Sequence, residues 1–345
     1  MDQVLGSLDD KPRARLGHTP TPLEEMANLA AQIGGGPLYV KRDDCTGLAL
    51  GGNKVRQLEF YLGEAQEAHA DTILITGAVQ SNFARLAAAA ARKLGMDCHI
   101  QHEVRVPKTD AAYLGSGNVL LEKILGATLH SYPEGEDEAG ADRRLGEIAD
   151  GLRDAGAVPY IIHLAPGNPP LGALGYVAAA RELVGQMNEQ DLVIDEIVVA
   201  SGSGHTHGGL LFGLRALGCM IPVTGVCVRR DAAAQAPRIA SRCREIADLL
   251  GTDSKVTDSD IRLDDRYLAP GYGQLNGPTI EAIETAARCE GLILDPVYTG
   301  KTMAGFLQTA RDDAGGNKAL LFIHTGGAPA VFGYGPSLSE ALLHE

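Results

Sequence analysis

The sequence predicts an α/β fold in which parallel β-sheets are covered by helices. Short apolar strand candidates alternate with helical stretches from about residue 38 onwards, and this alternation is typical of parallel sheets. The 345 residues suffice for two domains that share a cleft or for one large α/β unit. The 43 glycines suit tight turns and closely packed helices.

The predicted strands and helices follow one another regularly along the chain. Strands are expected at residues 38–40, 72–76, 98–101, 160–163, 196–200, 223–228 and 319–324. Helices are expected at residues 82–94, 142–155, 172–186 and 208–217. In such a fold, ligands bind beyond the carboxyl ends of the strands. The sequence PGNPP at 166–170 is the strongest interruption and predicts a crossing between domains.

Charge and cysteine usage limit the partners and the compartment. The formal net charge of −14 argues against nucleic acid or an anionic membrane as partner, since both attract basic surfaces. The six cysteines are scattered without a CxxC pair, which predicts reduced thiols. The first residues lack the features of a signal peptide, and no apolar run approaches the length of a membrane span. We therefore expect a soluble cytoplasmic protein.

Lys54 is the residue best suited to covalent chemistry. It follows two glycines and opens a predicted amphipathic helix in which Leu58 and Leu62 are apolar. A lysine in the first turn of a helix lies near the positive end of the helix dipole, which disfavours its ammonium form. In a dry site such an amine is neutral near pH 7 and can form a Schiff base. A surface lysine after a Gly-Gly loop is the alternative interpretation.

A second candidate site lies in the segment 75–85, where a strand ends in a short polar loop before an alanine-rich helix. Ser81 or Asn82 is the predicted N-cap of that helix. Free amides at this helix end would suit a substrate carboxylate. An ordinary N-cap without a ligand would give the same pattern.

The segment 200–210, with the sequence ASGSGHTHGGL, predicts a phosphate-binding loop. Its glycines allow backbone amides to turn towards an anion, and Ser203 and Thr206 add hydroxyl donors. The helix predicted at 208–217 points its N-terminus at the same place.

Two other interpretations of this loop remain open. An NADP-dependent dehydrogenase is one, because Arg229 and Arg230 could bind a 2′-phosphate, although His207 occupies the third glycine position of GxGxxG. A metal site is the other, but His205 and His207 lack a nearby third ligand, so we predict no metal.

Two further junctions between a strand and a loop, at 294–302 and 322–329, carry small residues and hydroxyls. Thr299 and Thr325 lie within them. Junctions of this kind commonly line ligand clefts, although either could be routine turn chemistry.

Taken in this order, the motifs resemble those of the D-cysteine desulfhydrase / 1-aminocyclopropane-1-carboxylate deaminase family of fold type II pyridoxal-phosphate enzymes. The likeness runs almost end to end, from TPTPL at 19–23 through KRDD at 41–44 and GGNK at 51–54 to HTGGAP at 324–329. It implies two open, twisted, mostly parallel sheets flanked by helices, as in the tryptophan synthase β chain.

The resemblance also implies a domain organisation. Residues 1–50 and 165–345 would form the large domain, and residues 51–164 the small one. Pyridoxal 5′-phosphate would lie in the cleft between the domains. The family is commonly homodimeric.

Transferred to this chain, the resemblance assigns roles to individual residues. Lys54 would carry the cofactor, and Asn82 would bond its phenolic oxygen. Ser81 and Asn82 would hold the substrate carboxylate, while Tyr272 and Tyr298 would face the substrate. The cofactor phosphate would be bound by Gly202, Ser203, Gly204, His205 and Thr206.

Thr299 and Thr325 separate the two branches of the family. Ring-opening members have Glu and Leu at these positions. A carboxylate beside the pyridine nitrogen would keep it protonated and strengthen electron withdrawal, whereas a threonine hydroxyl can only hydrogen-bond a neutral nitrogen. The threonines therefore favour β-elimination over ring opening.

Two residues bear on the choice of substrate. Phe83 stands where desulfhydrase-like members usually have His and ring-opening members have Gln, so the pocket is more apolar there. His207 is expected close to the cofactor and could contact a polar substrate tail.

The sequence thus predicts a pyridoxal-phosphate-dependent lyase acting on a small β-substituted amino acid similar to D-cysteine. The products would be pyruvate, ammonia and the leaving group. A cyclopropane-ring deaminase and an amino-acid racemase are alternatives on the same fold. The dehydrogenase and a non-catalytic cofactor carrier are alternatives from other classes.

Overall fold

The computed structural model describes residues 2–165 and 167–342. These residues form an α/β fold with two separate sheets flanked by helices, which confirms the predicted fold class. The predicted domain crossing at 166–170 includes Pro166, which lies outside the described residues. Within the described ranges, no helix is both long and apolar enough to cross a membrane.

Ten strands are formed by the described residues. In chain order they are β1 (Leu23–Glu25), β2 (Leu38–Lys41), β3 (Thr72–Ala78), β4 (Asp97–Glu103), β5 (Thr128–Tyr132), β6 (Pro159–Ile162), β7 (Glu196–Ser201), β8 (Val223–Cys227), β9 (Arg262–Asp264) and β10 (Leu320–Ile323). Six of them form a sheet in the order β1-β2-β10-β7-β8-β9, in which β1 alone runs antiparallel to its neighbour. The other four form a fully parallel sheet in the order β5-β4-β3-β6.

Helices cover these sheets and connect their strands. They are α1 (Asp2–Asp9), α2 (Ala27–Ile33), α3 (Lys54–Glu67), α4 (Asn82–Lys93), α5 (Ala111–Gly115), α6 (Gly117–Ile124), α7 (Glu138–Asp154), α8 (Leu171–Glu189), α9 (His205–Ala216), α10 (Ala232–Leu250), α11 (Gly277–Glu290), α12 (Thr299–Asp312), α13 (Ala328–Gly333) and α14 (Gly335–Leu342).

The seven predicted strands and four predicted helices are all present, with ends shifted by a few residues. Three strands were not predicted: β1, β5 and β9. All three lie at the edges of their sheets, and their short sequences, LEE, TLHSY and RLD, contain little apolar character. An edge strand is less buried than a central one and needs no continuous apolar run.

The predicted domain boundaries enclose the smaller sheet. Strands β3 to β6 all lie within residues 51–164, and the strands of the larger sheet all lie outside that range. The division of the chain into domains at these boundaries remains a prediction.

Helix α8 packs against both α3 and α9, and glycines bring the three backbones into direct contact. A Cβ atom at Gly175 of α8 would lie 2.2 Å from the carbonyl oxygen of Arg56 in α3. A Cβ atom at Gly209 of α9 would lie 2.3 Å from the carbonyl oxygen of Ala173 in α8. Because α3 begins at Lys54 and α9 begins in the phosphate-loop motif, this packing sets the distance between the two motifs.

A buried ionic network holds the first turn of α3. The guanidinium of Arg56 pairs with Asp43 at 2.9 Å and with Glu182 of α8 at 2.8 Å. Lys41 of β2 reaches the same Glu182 carboxylate at 2.6 Å. Although burial opposes it, the hydrogen bond from Arg56 lowers the pKa of Glu182 to about 2. The network therefore joins β2, α3 and α8 through charges that have little access to water.

The glycine contact predicts that a Gly→Ala substitution changes the free energy of unfolding in opposite directions at two positions of α8. Gly175→Ala places its methyl group against the backbone of α3 and should lower the free energy of unfolding by about 1–3 kcal/mol. Gly185→Ala, the matched control, meets no atom within 4 Å and should raise stability by up to about 1 kcal/mol. Urea denaturation followed by circular dichroism measures both. Equal effects at the two positions would contradict the proposed contact.

Candidate active site

A cleft lies beyond the carboxyl ends of strands from both sheets. The ends of β3 and β4 contribute from the smaller sheet, and the ends of β7 and β10 contribute from the larger one. Parallel strands place their carboxyl ends on the same edge of a sheet, where ligand sites are built. Most of the predicted site residues line this cleft: Lys54, Ser81, Asn82, Phe83, Gly202, Ser203, Gly204, Thr206, Tyr272, Tyr298 and Thr325.

The amine of Lys54 faces the cleft from the first turn of α3. Burial lowers its pKa to about 8, and no carboxylate of the described residues pairs with it. The aromatic ring of Phe83 lies 5.1 Å from Nζ. A large fraction of the amine is therefore uncharged in mildly alkaline solution, and an uncharged amine is a nucleophile and a base.

The loop after β7 forms an anion cradle at the start of α9. Gly204 adopts a left-handed conformation with φ of 92°, and no side chain caps the first turn of the helix. The hydroxyl of Thr206 accepts hydrogen bonds from the side-chain amides of Asn53 (2.8 Å) and Gln57 (2.9 Å). Because the oxygen accepts both bonds, its own hydrogen is free to be donated to an anion, together with the backbone amides of the turn.

The loop after β3 presents a second set of donors. The Ser81 hydroxyl accepts a hydrogen bond from the amide of Ala84 at 3.1 Å and is the N-cap of α4. The Oδ1 atom of Asn82 accepts from Nδ2 of Asn118 at 2.9 Å. This contact fixes the amide of Asn82 and leaves its Nδ2 to donate into the cleft. Asn118 was not predicted, because it lies 36 residues away in a helix without a motif.

Two tyrosines face the cleft opposite these donors. The hydroxyl oxygens of Tyr272 and Tyr298 are 2.6 Å apart, and their rings meet edge to face. Burial raises the pKa of both hydroxyls, so both are protonated and the pair has one hydrogen to donate to a ligand. Lys301 positions the Tyr272 loop by donating to the carbonyl oxygens of Leu268 (2.8 Å) and Gly271 (2.9 Å).

Three predicted site residues do not line the cleft, and two of them are the histidines of α9. Nδ1 of His207 lies 3.1 Å from the Ser201 hydroxyl, and the ring packs against Gly225 of β8. The His205 ring is buried, and both of its nitrogens lack a partner in the described part of the chain. Burial and nearby Arg242 lower the pKa of His205, so the ring is neutral.

A geometric reason explains why neither histidine side chain lines the cleft. Successive residues of an α-helix point about 100° apart. Because Thr206 points at the cleft, the side chains on either side of it point away. The predicted contact between His207 and a substrate tail is therefore not supported, and His205 could serve the cradle only through its backbone amide.

Thr299 is the third residue that does not line the cleft. Its hydroxyl donates to Oδ1 of Asp295 at 2.7 Å and accepts from the Asp295 amide at 2.7 Å. Both contacts are buried, so the predicted contact of this hydroxyl with a pyridine nitrogen is not supported. Thr325 lines the cleft instead, and its hydroxyl has no hydrogen-bond partner among the described residues.

The outer wall of the cleft is charged, which the motifs did not predict. Arg105, which follows β4, donates to both oxygens of Glu103 at 2.8 and 2.7 Å. Glu138 of α7 pairs with Arg229 at 2.8 Å and with Arg238 at 3.4 Å. Arg105, Glu103 and Glu138 lie outside the glycine-rich motifs. In the sequence, only their position at the end of a predicted strand or near the start of a helix could have indicated that they line the cleft.

The inner part of the cleft fits a phosphorylated aldehyde. It combines an unpaired amine, an anion cradle and a free hydroxyl at Thr325. A group of three histidine, cysteine, aspartate or glutamate side chains able to hold a metal ion does not occur within residues 2–165 and 167–342.

Comparisons with known proteins agree with a site for a phosphorylated aldehyde. The family described as "Pyridoxal-phosphate dependent enzyme" matches residues 14–326. D-cysteine desulfhydrase of Salmonella typhi is 41% identical over 329 residues, covering 94% of this chain and 97% of that protein. D-cysteine desulfhydrase of Klebsiella pneumoniae subsp. pneumoniae is 40% identical over 338 residues, covering 97% and 99%. A crystal structure described as an ACC deaminase homologue superposes with a TM-score of 0.86 at 36% identity and covers 99% of both chains.

The contact with Phe83 predicts a change in the basicity of Lys54. Phe83→Ala admits water to the amine and should move its pKa from about 8 towards the ordinary value of about 10.4. Phe83→Leu, the matched control, keeps the amine dry and should leave the pKa near that of the unsubstituted protein. The measurement is the rate of carbamylation by cyanate at Lys54, followed by peptide mapping between pH 6 and 11. Because only the neutral amine reacts, a raised pKa appears as slower modification at pH 8, and an unchanged profile for Phe83→Ala would contradict the explanation.

Proposed function

Because the chain belongs to the family of pyridoxal-phosphate-dependent enzymes, we propose that it is a lyase that eliminates the β-substituent of D-cysteine or a similar small amino acid. The observation that carries this proposal is the unpaired, low-pKa amine of Lys54 in the same cleft as the anion cradle and the Ser81–Asn82 donors. The relatives named D-cysteine desulfhydrase support the substrate class.

The cleft residues divide into groups with different tasks. Lys54 would hold the cofactor covalently, residues 202–206 would hold its phosphate, and Asn82 and Thr325 would donate hydrogen bonds to its ring. When bound, pyridoxal phosphate withdraws electrons from the Cα atom of an attached amino acid. The hydroxyl of Thr325 lines the cleft and is a weak donor, which suits a reaction in which a leaving group accepts the electrons promptly.

Lys54 and the Ser81–Asn82 loop act on the substrate backbone. The amide donors at the start of α4 and the Asn82 side chain orient the substrate carboxylate. The neutral amine of Lys54 then removes the α-proton, for which a pKa near 8 is well matched to mildly alkaline solution. Ser81 accepts the Ala84 amide as a helix cap, and we assign it the positioning of the carboxylate.

The Tyr272–Tyr298 pair acts on the leaving group. Both hydroxyls are held protonated by burial, and one hydrogen of the pair remains available. A thiolate that departs from Cβ can take this proton and leave as the thiol. The released enamine hydrolyses to pyruvate and ammonia.

Ring opening of 1-aminocyclopropane-1-carboxylate is the second candidate, favoured by the structural likeness to an ACC deaminase homologue. The nearest acidic group to the junction at Thr299 is Asp295, which is fully buried and accepts from the amides of Val297 and Tyr298. It does not line the cleft and cannot replace the glutamate of ring-opening enzymes. This arrangement favours β-elimination.

We further propose a cytoplasmic homodimer. All six cysteines are free thiols, which suits a reducing compartment. Exposed apolar side chains on α6 and α13, including Ile124 at 70% and Phe332 at 67% exposure, offer a surface for a second copy. A monomer in sedimentation velocity experiments would contradict the dimer.

The function predicts a specific pattern of products. The holoenzyme should release pyruvate from D-cysteine, and Lys54→Ala should lose this activity by at least about 10³-fold together with the bound yellow chromophore. Lys123→Ala, on the exposed end of α6, is the control and should keep both. Pyruvate is measured with lactate dehydrogenase and 2-oxobutanoate by chromatography. Formation of 2-oxobutanoate from the cyclopropane substrate as the dominant activity would establish the second candidate instead.

The tyrosine pair predicts that the effect of a mutation depends on the leaving group. Tyr272→Phe should lower kcat for D-cysteine by about 10²-fold, because the departing thiolate loses its proton donor. The loss for β-chloro-D-alanine should be much smaller, since chloride leaves without a proton. Tyr39→Phe on β2, which does not line the cleft, serves as the control. Equal losses for both substrates would exclude Tyr272 as the proton donor.

A further inference from the structure

The turn that leads into Lys54 has an unfavourable backbone conformation. All four residues from 49 to 52 have positive φ, and the first two, Ala49 (φ 41°) and Leu50 (φ 70°), are not glycine. A Cβ atom approaches the carbonyl oxygen too closely in this left-handed region, so residues other than glycine adopt it rarely. Such a conformation persists only where the surrounding structure holds it.

One buried guanidinium accepts this task, because it bonds two carbonyl oxygens of the turn. Nη1 of Arg85 donates to the carbonyl oxygen of Ala49 at 2.6 Å, and Nη2 donates to that of Gly51 at 3.1 Å. The two bonds flank Leu50, whose side chain is 62% exposed and contributes little packing. Arg85 therefore fixes the part of the turn in which the two strained residues lie.

Nothing else in the described ranges explains the burial of Arg85. The residue is fully buried, no carboxylate of the described residues pairs with it, and its Nε atom is without a partner there. Burial lowers the pKa of Arg85 to about 10, and the negative charge of Glu122 opposes this shift. The side chain does not line the cleft. Its bonds to the turn thus serve the protein backbone and not a ligand.

The helix that carries Arg85 also carries the donors for the substrate carboxylate. Ser81 is the N-cap of α4, and the Arg85 amide donates to the Ser81 carbonyl oxygen at 3.2 Å. Arg85 therefore lies one turn beyond the Ser81–Asn82 loop, and its side chain extends from there to the turn before Lys54. Through this side chain, α4 relates the position of the lysine to the position of the carboxylate donors.

We propose that Arg85 is a positioning residue for Lys54. By holding residues 49–52 in the left-handed conformation, it fixes the start of α3, and with it the Lys54 amine, relative to the Ser81–Asn82 loop. This inference rests on the proposed β-elimination, in which the amine must reach the α-proton of a substrate held at that loop. A misplacement of about 1 Å between reacting groups can lower a rate by about 10²-fold.

The first experiment measures kcat and KM of the holoenzyme for β-chloro-D-alanine. Arg85→Met removes both hydrogen bonds and should lower kcat by about 10²-fold. KM should stay nearly unchanged, because the donors of the Ser81–Asn82 loop remain. Arg85→Lys, which can bond one of the two carbonyl oxygens, should recover part of kcat. Should Arg85→Met fail to fold, Arg85→Lys carries the same test with a smaller loss.

A second buried arginine provides the matched control. Arg215 of α9 donates to the carbonyl oxygens of Cys219 at 2.8 Å and Ile221 at 3.0 Å, and it does not line the cleft. Arg215→Met should lower stability towards urea without changing kcat. An equal loss of kcat in Arg215→Met and Arg85→Met would assign the effect to general destabilisation and overturn the inference.

A further substitution tests the backbone conformation itself. Glycine adopts positive φ without the penalty of a Cβ atom, so Leu50→Gly should raise kcat of the Arg85→Met variant by about 5-fold. Leu50→Ala removes the same side chain but keeps the Cβ atom, and should give no such recovery. If the glycine and alanine variants behave alike, Arg85 does not act through the conformation of the turn.

Reactivity of Lys54 separates this inference from the proposed function. In the full-length protein without cofactor, the rate of carbamylation by cyanate between pH 6 and 11 reports the pKa of the amine. Release of the turn in Arg85→Met admits water, so this pKa should rise from about 8 towards the ordinary value of about 10.4. Arg215→Met should leave it unchanged.

The two possible failures give different results. An unchanged carbamylation profile in Arg85→Met would overturn the positioning role, even in an enzyme that eliminates β-substituents. A shifted profile in a protein that turns over no β-substituted amino acid would support the positioning of Lys54 and overturn the proposed function instead.

Discussion

The buried ion pairs of Arg56 hold in place the helix that begins at Lys54. Arg56 and Asp43 are almost inaccessible to water, and Glu182 completes the pairing from α8. Charges buried in this way are stable only when paired, and removal of one partner commonly costs about 3–5 kcal/mol. Because Arg56 lies in the first turn of α3, these pairs and the glycine contact at Gly175 determine where the Lys54 amine lies. The reactive group thus depends on contacts that lie outside the cleft.

Burial then gives the inner and outer parts of the cleft different chemistry. In the inner part, the same shielding that lowers the pKa of Lys54 raises the pKa of Tyr272 and Tyr298, so a base and a proton donor coexist in one solvent-poor space. In the outer part, Arg105 and Glu138 remain charged because each has partners of opposite sign. The inner part therefore has the groups that proton transfer needs, whereas the outer part carries paired charges.

Most of the fold and the inner site could be predicted from the sequence, and the exceptions have physical causes. Glycine turns, helix caps and apolar strands are local features, so the Gly204 turn and the Ser81 cap follow from neighbouring residues. The three edge strands lack the apolar run that identifies a buried strand. His207 lies in the correct loop, but the direction of its ring depends on which face of α9 packs against β8.

The sequence by itself determined the alternation of the apolar strands with helices, the family and the candidate lysine, because these depend on local patterns that one chain carries in full. Only the tertiary structure decided that Thr325 faces the cleft while Thr299 bonds Asp295, and that Asn118 and Arg105 reach the site from helices and loops without a motif. These outcomes depend on side-chain direction and on contacts between residues far apart in the chain. Packing of the two sheets, which no local pattern specifies, brings such residues to one place.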